Sequence, residues 1–165
     1  MKQKKLIWQI FPANLIIVLG AILAVSWYGS SALQQFYVDE SIEDLESRAR
    51  LITSQVTQYL MKGEVEELRE FSKNSGRDAH TRITVINIKG EVLADSNEDP
   101  EDMENHQTRP EIVAAYNGEV GSSLRYSETL GKDMLYVAVP LFKSGQFLEN
   151  MNGELLGKVV LRLSV

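Results

Sequence analysis

The chain has no cysteine. That excludes disulfide staples, thiolate catalysis and cysteine-held metal, while an oxidising compartment stays permitted. Histidine is nearly as scarce, with only His80 and His106, too few for a multi-histidine metal centre. Neither sits in a His-Glu-Leu segment of the kind that phosphoacceptor histidines occupy. A phosphate-cradling loop is missing, because Gly157-Lys158 is followed by Val159 where Ser or Thr is required. No serine elbow or paired zinc-binding histidines occur. An anchored hydrolase is the weakest function class, since no nucleophile and base stand at interpretable spacing. Two further absences organise the chain: no charge lies between Leu6 and Tyr28, and no acidic residue precedes Asp39.

The uncharged run covers 23 positions behind Lys2, Lys4 and Lys5, enough as a helix of about 1.5 Å per residue to cross a bilayer core. Basic residues favour the cytoplasmic side. The expected layout is therefore a cytoplasmic tip (1–5), a transmembrane helix (6–28) in the plasma or inner membrane, and an extracytoplasmic remainder. A cleaved secretory signal is the rival reading. Its apolar core is about 7–15 residues, shorter than this one, although Ser30 and Ala32 could form a cleavage site. Beyond the span, 14 Lys and Arg face all 23 Asp and Glu, a formal charge of −9. That balance argues against a nucleic-acid partner, whose phosphates need a positive surface.

From 29 to 62 the sequence reads as a stalk helix. Val38, Ile42, Leu45, Ala49, Ile52, Val56 and Tyr59 recur alternately every four and three residues. Such a stripe either lies on the chain's own domain or continues the membrane helix and packs against a second copy, making a homodimer. Gly63 interrupts it. A short helix follows with Val65, Leu68 and Phe71 inward, ending near Asn74, Ser75 and Gly76. The period then changes to that of strands: Arg82 to Ile88, Glu91–Asp95, Ser122–Ser127, Met134–Phe142 around a turn at Gly131-Lys132-Asp133, and Lys158–Val165. Pro140 suits a strand edge or end. Pro110 opens a short helix through Tyr116, closed by Asn117-Gly118, with Thr108 as its expected cap. Residues 63–165 thus form an α+β domain with a central antiparallel sheet of about five strands.

Polar chemistry concentrates between Asp95 and Glu111. Asp95, Asn97 and Asp99 alternate as in a calcium loop, but Pro100 replaces the required glycine and His106 the final glutamate. A looser cation patch of Asp95, Asp99 and Glu104 remains a candidate. Asn105, His106 and Arg109, joined by Arg125 and Tyr126 on the next strand, are candidate contacts for an unidentified small ligand. Nothing in the sequence calls for a cofactor.

The run Gly90-Glu-Val-Leu-Ala-Asp95-Ser96, then Asp99-Pro100, Met103-Glu-Asn-His106 and Arg109-Pro-Glu111, resembles the external sensor region of membrane histidine kinases. The phosphate-regulon (PhoR) type is the nearest likeness. Gly118, Gly121, Arg125-Tyr-Ser127, Thr129-Leu-Gly131 and Met134-Leu-Tyr-Val-Ala-Val-Pro140 continue it in order. The likeness is strong over residues 77–142. It implies a PAS-like, single-Cache sensor domain between two membrane helices. A cytoplasmic dimerisation helix and an ATP-binding domain would follow, acting on a response regulator. This chain stops at Val165, before any second span or kinase part, so a fragment or a truncated product is expected. Lys143 to Gly153 also looks longer and looser than a hairpin connection.

The expected function is the extracytoplasmic signal input of a two-component sensor kinase, not itself an enzyme, answering to a small ligand or a protein signal. The alternatives are a membrane-anchored binding or adaptor protein, or the input domain of a chemotaxis receptor or diguanylate cyclase. Direct phosphate capture is the minority reading, because the negative external charge opposes it. The resemblance implies relay through a transporter and its accessory protein instead.

Overall fold

The computed structural model describes residues 7–127, 132–141, 148–149 and 155–165. The lysine tip, the turn at Gly131, Phe142 and most of the Lys143–Gly153 connection lie outside the described residues. The chain divides into two compact units, 1–40 and 41–165. Helix α1 runs Ile7–Lys62. In the first unit Ile16, Ile17, Val25, Trp27 and Tyr28 are among the exposed apolar side chains, while Val38 is half-buried. An apolar window there has mean hydropathy 1.8, and the helix is long enough to cross a membrane. Glycine ends α1 as expected, since Gly63 adopts φ 73° and its N–H donates to the Leu60 carbonyl at 3.1 Å.

The second unit contains α2 (Val65–Ala79), β1 (Arg82–Ile86), β2 (Val92–Asp95), a 3-10 turn (Pro100–Asp102), α3 (Pro110–Tyr116), β3 (Gly121–Ser127), β4 (Lys132–Pro140), β5 (Leu148–Glu149), β6 (Leu155–Gly157) and β7 (Val160–Ser164). Five strands form one antiparallel sheet in the order β2-β1-β7-β4-β3, as the strand count from the sequence predicts. The C-terminal strand β7 is its centre. Pro140 ends β4, where its missing N–H costs the ladder least. β5, inside the expected loose connection, pairs with β6 just beyond it as a separate ribbon.

The register assigns the two faces. Ile83, Val85, Leu161, Leu163, Val137 and Val139 share one face and are buried. They form the apolar layer beneath α2 and the 41–62 part of α1, which bury Leu45, Ala49, Val56, Leu60 and Leu68. The opposite face is divided. Ile86, Ala138 and Val160 pack on Ile112 and Ala115 of α3, while Arg82, Thr84, Asp95, Tyr136, Arg162 and Ser164 occupy the other half.

Several expectations change here. From Leu45 onward the heptad stripe lies on the chain's own domain, so that part is not free as a dimer seam. Arg48 donates to the Ala79 carbonyl at 3.0 Å and to Thr81 Oγ1 at 3.1 Å, and the Tyr59 ring meets that of Phe71 at 5.7 Å. α2 continues past Gly76 because a glycine is needed inside the helix: a Cβ there would lie 2.5 Å from the Ser96 Cβ. His80 closes the helix at φ 52° instead. Val65 is exposed, and the buried stripe is Leu68, Ser72 and Gly76. Thr108 does not cap α3. Arg109 holds the N-cap position without a side-chain bond, because Pro110 at the first turn already removes one donor.

Candidate functional site

A cavity of about 550 Å³ opens on the polar half of the divided face. Strand register builds its floor. Arg82 of β1, Arg162 of β7, Tyr136 of β4 and Arg125 of β3 project to the same side of the sheet and line the cavity, and Thr84, on that side too, is fully buried outside the lining. Met103, His106 and Arg109 close it from the segment between the 3-10 turn and α3, and the exposed Glu98, Asp102 and Glu104 stand at the mouth.

Of the predicted ligand contacts, His106, Arg109, Arg125 and Tyr126 all line this cavity. Asn105 does not. Its Nδ2 donates to the Lys89 carbonyl at 2.7 Å and its Oδ1 accepts from Gln107 N at 2.9 Å, so it shapes the backbone under Gly90. Gly90, at φ 80°, leaves no room for a Cβ beside Asn105 Oδ1 and Gln107 N. The cation patch is not assembled either, and no group of three or more potential ligands exists among the described residues. Asp95 is buried and committed to Arg82, Thr84 and two backbone N–H groups. Asp99 caps the 3-10 turn by accepting from Glu101 N at 3.1 Å.

The residues that sequence reasoning missed are the buried ones. Arg162 is 2% exposed in the central strand. Its Nη2 donates to Thr84 Oγ1 at 3.0 Å, and Thr84 Oγ1 donates to Asp95 Oδ2 at 2.7 Å. Arg82 Nε lies 3.0 and 3.1 Å from the two Asp95 oxygens. Arg162 Nε has no partner, and its Nη1 stands 3.8 Å from Glu111 Oε1, outside hydrogen-bond range. Glu111 is fully buried, and its Oε1 accepts from Arg125 Nη2 at 2.9 Å. The Arg125 and Arg162 guanidinium carbons lie 4.0 and 5.2 Å from the Tyr136 ring centroid, so the tyrosine face shares their charge.

Positive charge in the floor exceeds its compensation. Burial, then the neighbouring Arg109, pulls the Arg162 guanidinium down to about 10. Arg109 is lowered by burial and by Arg125. Burial, followed by Arg162 and Arg109, holds the His106 imidazole down at about 3, so it is neutral at pH 7. Desolvated guanidiniums with unspent donors are suited to binding an anion.

The Single Cache-like family matches residues 35–153. No curated protein matches the chain. Among solved structures, the ligand-binding domain of the Campylobacter jejuni chemoreceptor Tlp3 in complex with 4-methylisoleucine superposes with a TM-score of 0.54 at 14% identity. That match covers 82% of this chain and 53% of that one. The same receptor's sensory domain with isoleucine bound gives 0.55 at 12% identity, covering 99% and 64%. The sensor domain of the V. cholerae histidine kinase DctB gives 0.52 at 14% identity, covering 91% and 57%. The chain spans between about half and two thirds of those structures, and at such identity the likeness is one of fold.

Proposed function

We propose that this chain, which belongs to the single Cache-like family, is the extracytoplasmic input of a membrane signalling protein and that its cavity takes a small anionic ligand. The carrying observation is the convergence of Arg109 on Arg125 and Arg162 of the floor, with the buried Glu111 carboxylate between the last two. The isoleucine-bound and 4-methylisoleucine-bound relatives support a small organic molecule as the occupant. A carboxylate group is the natural partner for these guanidiniums. With the lysine tip in the cytoplasm, α1 would place the cavity outside the membrane.

The output proposed for the whole protein is a histidine kinase of the phosphate-regulon type, on the strength of the ordered motifs between residues 77 and 142. A second apolar span followed by a His-Glu-Leu segment in the adjoining coding sequence decides for the kinase, and a cyclase or chemoreceptor signalling domain there decides against it. Pairing of two copies is proposed through the exposed Leu33 and Phe36. Leu33→Cys should give a disulfide-linked dimer on mild oxidation in membranes, and a persistent monomer rejects that seam.

The ligand reading is tested on the full chain in detergent micelles by thermal melting with acetate, L-alanine, succinate and phosphate at millimolar concentration. At least one should raise the melting temperature, since anything binding only the folded state stabilises it. No shift with any of them removes the reading.

A further inference from the structure

Resting on the reading of the cavity as an anion site, we infer that Glu111 is a built-in competitor for the ligand's anionic group, occupying Arg125 until that group takes it over. Glu111 is the second residue of α3 and fully buried, yet only one of its oxygens makes a hydrogen bond: Oε1 accepts from Arg125 at 2.9 Å, and Oε2 has no partner. A buried carboxylate is costly unless its oxygens are satisfied. This one is under-used where it stands, and a second cation is within reach: Arg162 Nη1, 3.8 Å away and itself without a hydrogen bond.

Exchange conserves the buried charge. When a ligand's carboxylate or phosphate oxygen accepts from Arg125, Glu111 closes the short gap to Arg162 Nη1, and the pair stays neutral inside the sheet. Arg125 and Arg109, the more accessible cations, then face the ligand. Arg125 keeps its place through the change because its guanidinium lies 4.0 Å from the Tyr136 ring centroid, a contact that does not involve Glu111. The backbone of Glu111 cannot follow its side chain. Gly121 of β3 packs so closely that a Cβ there would lie 2.7 Å from the Glu111 Cα and closer still to its carbonyl oxygen. The exchange is therefore confined to the Glu111 side chain, which sets the affinity of the cavity without moving α3.

The experiment compares anion binding by wild type, Glu111→Gln, Glu111→Asp and the control Glu101→Gln in the full chain in micelles, with acetate, L-alanine, succinate and phosphate as probes. Removing the competitor should tighten binding of the anion that stabilises wild type by about tenfold, the scale of one charge-assisted hydrogen bond. Glu111→Asp, which withdraws the carboxylate from Arg125 by one methylene, should tighten it less. Glu101→Gln removes an equal but exposed charge outside the cavity and should change it by no more than about twofold. A residue that merely supported the fold would weaken binding when replaced. Equal or weaker binding by Glu111→Gln overturns the inference while leaving the anion site standing. Should that variant melt too low to titrate, equal or weaker binding by Glu111→Asp has the same force. Binding by Glu111→Gln alone supports the exchange, and binding by no form removes both the exchange and the anion site.

Discussion

Arg109 and His106 stand three residues apart and reach the same cavity, but their expected contributions differ in kind. Arg109 lines the cavity with no side-chain hydrogen bond or ion pair among the described residues. Arg109→Ala should weaken anion binding by about tenfold, one charged hydrogen bond's worth. It should move the melting temperature of the unliganded chain little, because no buried partner is stranded. A large drop in melting temperature with unchanged affinity would give Arg109 a structural role instead. His106 carries a pH dependence. Its folded pKa of about 3 lies below the ordinary value of 6.5, so the unfolded chain takes up the proton first as pH falls. The stability from keeping the imidazole neutral is whole above about pH 6.5 and is lost progressively as pH falls toward about 3. Between pH 7 and pH 5, where carboxylates titrate least, His106→Gln should flatten the fall in melting temperature seen in wild type. Parallel curves for the two would show that His106 is not held neutral in the folded chain.

Elements were legible where one period governed one face. The five strands of the main sheet, the Gly63 break and the helix from Pro110 to Tyr116 follow from local pattern, whereas β5 and β6 do not. His106, Arg109, Arg125 and Tyr126 of the cavity lining were legible too, because they are polar residues gathered around a short helix. Arg162 and Thr84 were not. In a strand that alternates Leu161, Arg162, Leu163 and Ser164, the polar set reads as the solvent side, and only the register Thr84↔Arg162 shows it to be a second interior. Glu111 likewise reads as a favourable charge in the first turn of a helix, with nothing local to show that its carboxylate points at two arginines. The heptad stripe left two readings open, since a helix on its own domain and a coiled coil need the same residues. The packing of α1 gives a direct check. Leu45→Ala should lower stability by about 2–5 kcal/mol, as for a filled core position. Leu51→Ala, at a position 80% exposed, should stay within about 0.5 kcal/mol. Thermal melts of the sheet signal distinguish them, and equal costs would mean that the stripe is not embedded in the domain.

At the scale of the whole molecule, the absence of cysteine that limits the chain's chemistry becomes an experimental advantage. Any single cysteine introduced is the only thiol present, so its labelling reports one position without background. The proposed topology rests on Lys2, Lys4 and Lys5 before a 23-residue uncharged run, with a region of charge −9 after it. Positive charge within about 15–20 residues of a span end governs orientation, and acidic residues contribute little. The three lysines, rather than the acidic domain, should therefore decide the matter. Glu101→Cys, on the exposed 3-10 turn beside the cavity, should react with a membrane-impermeant maleimide in intact cells or spheroplasts. Gln3→Cys should react only after the membrane is opened. Replacing all three lysines by glutamine should produce a mixed population in which both positions label partially. Labelling of Gln3→Cys in intact cells with protection of Glu101→Cys would reverse the topology. The cavity would then face the cytoplasm, and the extracytoplasmic sensing role would fall with it.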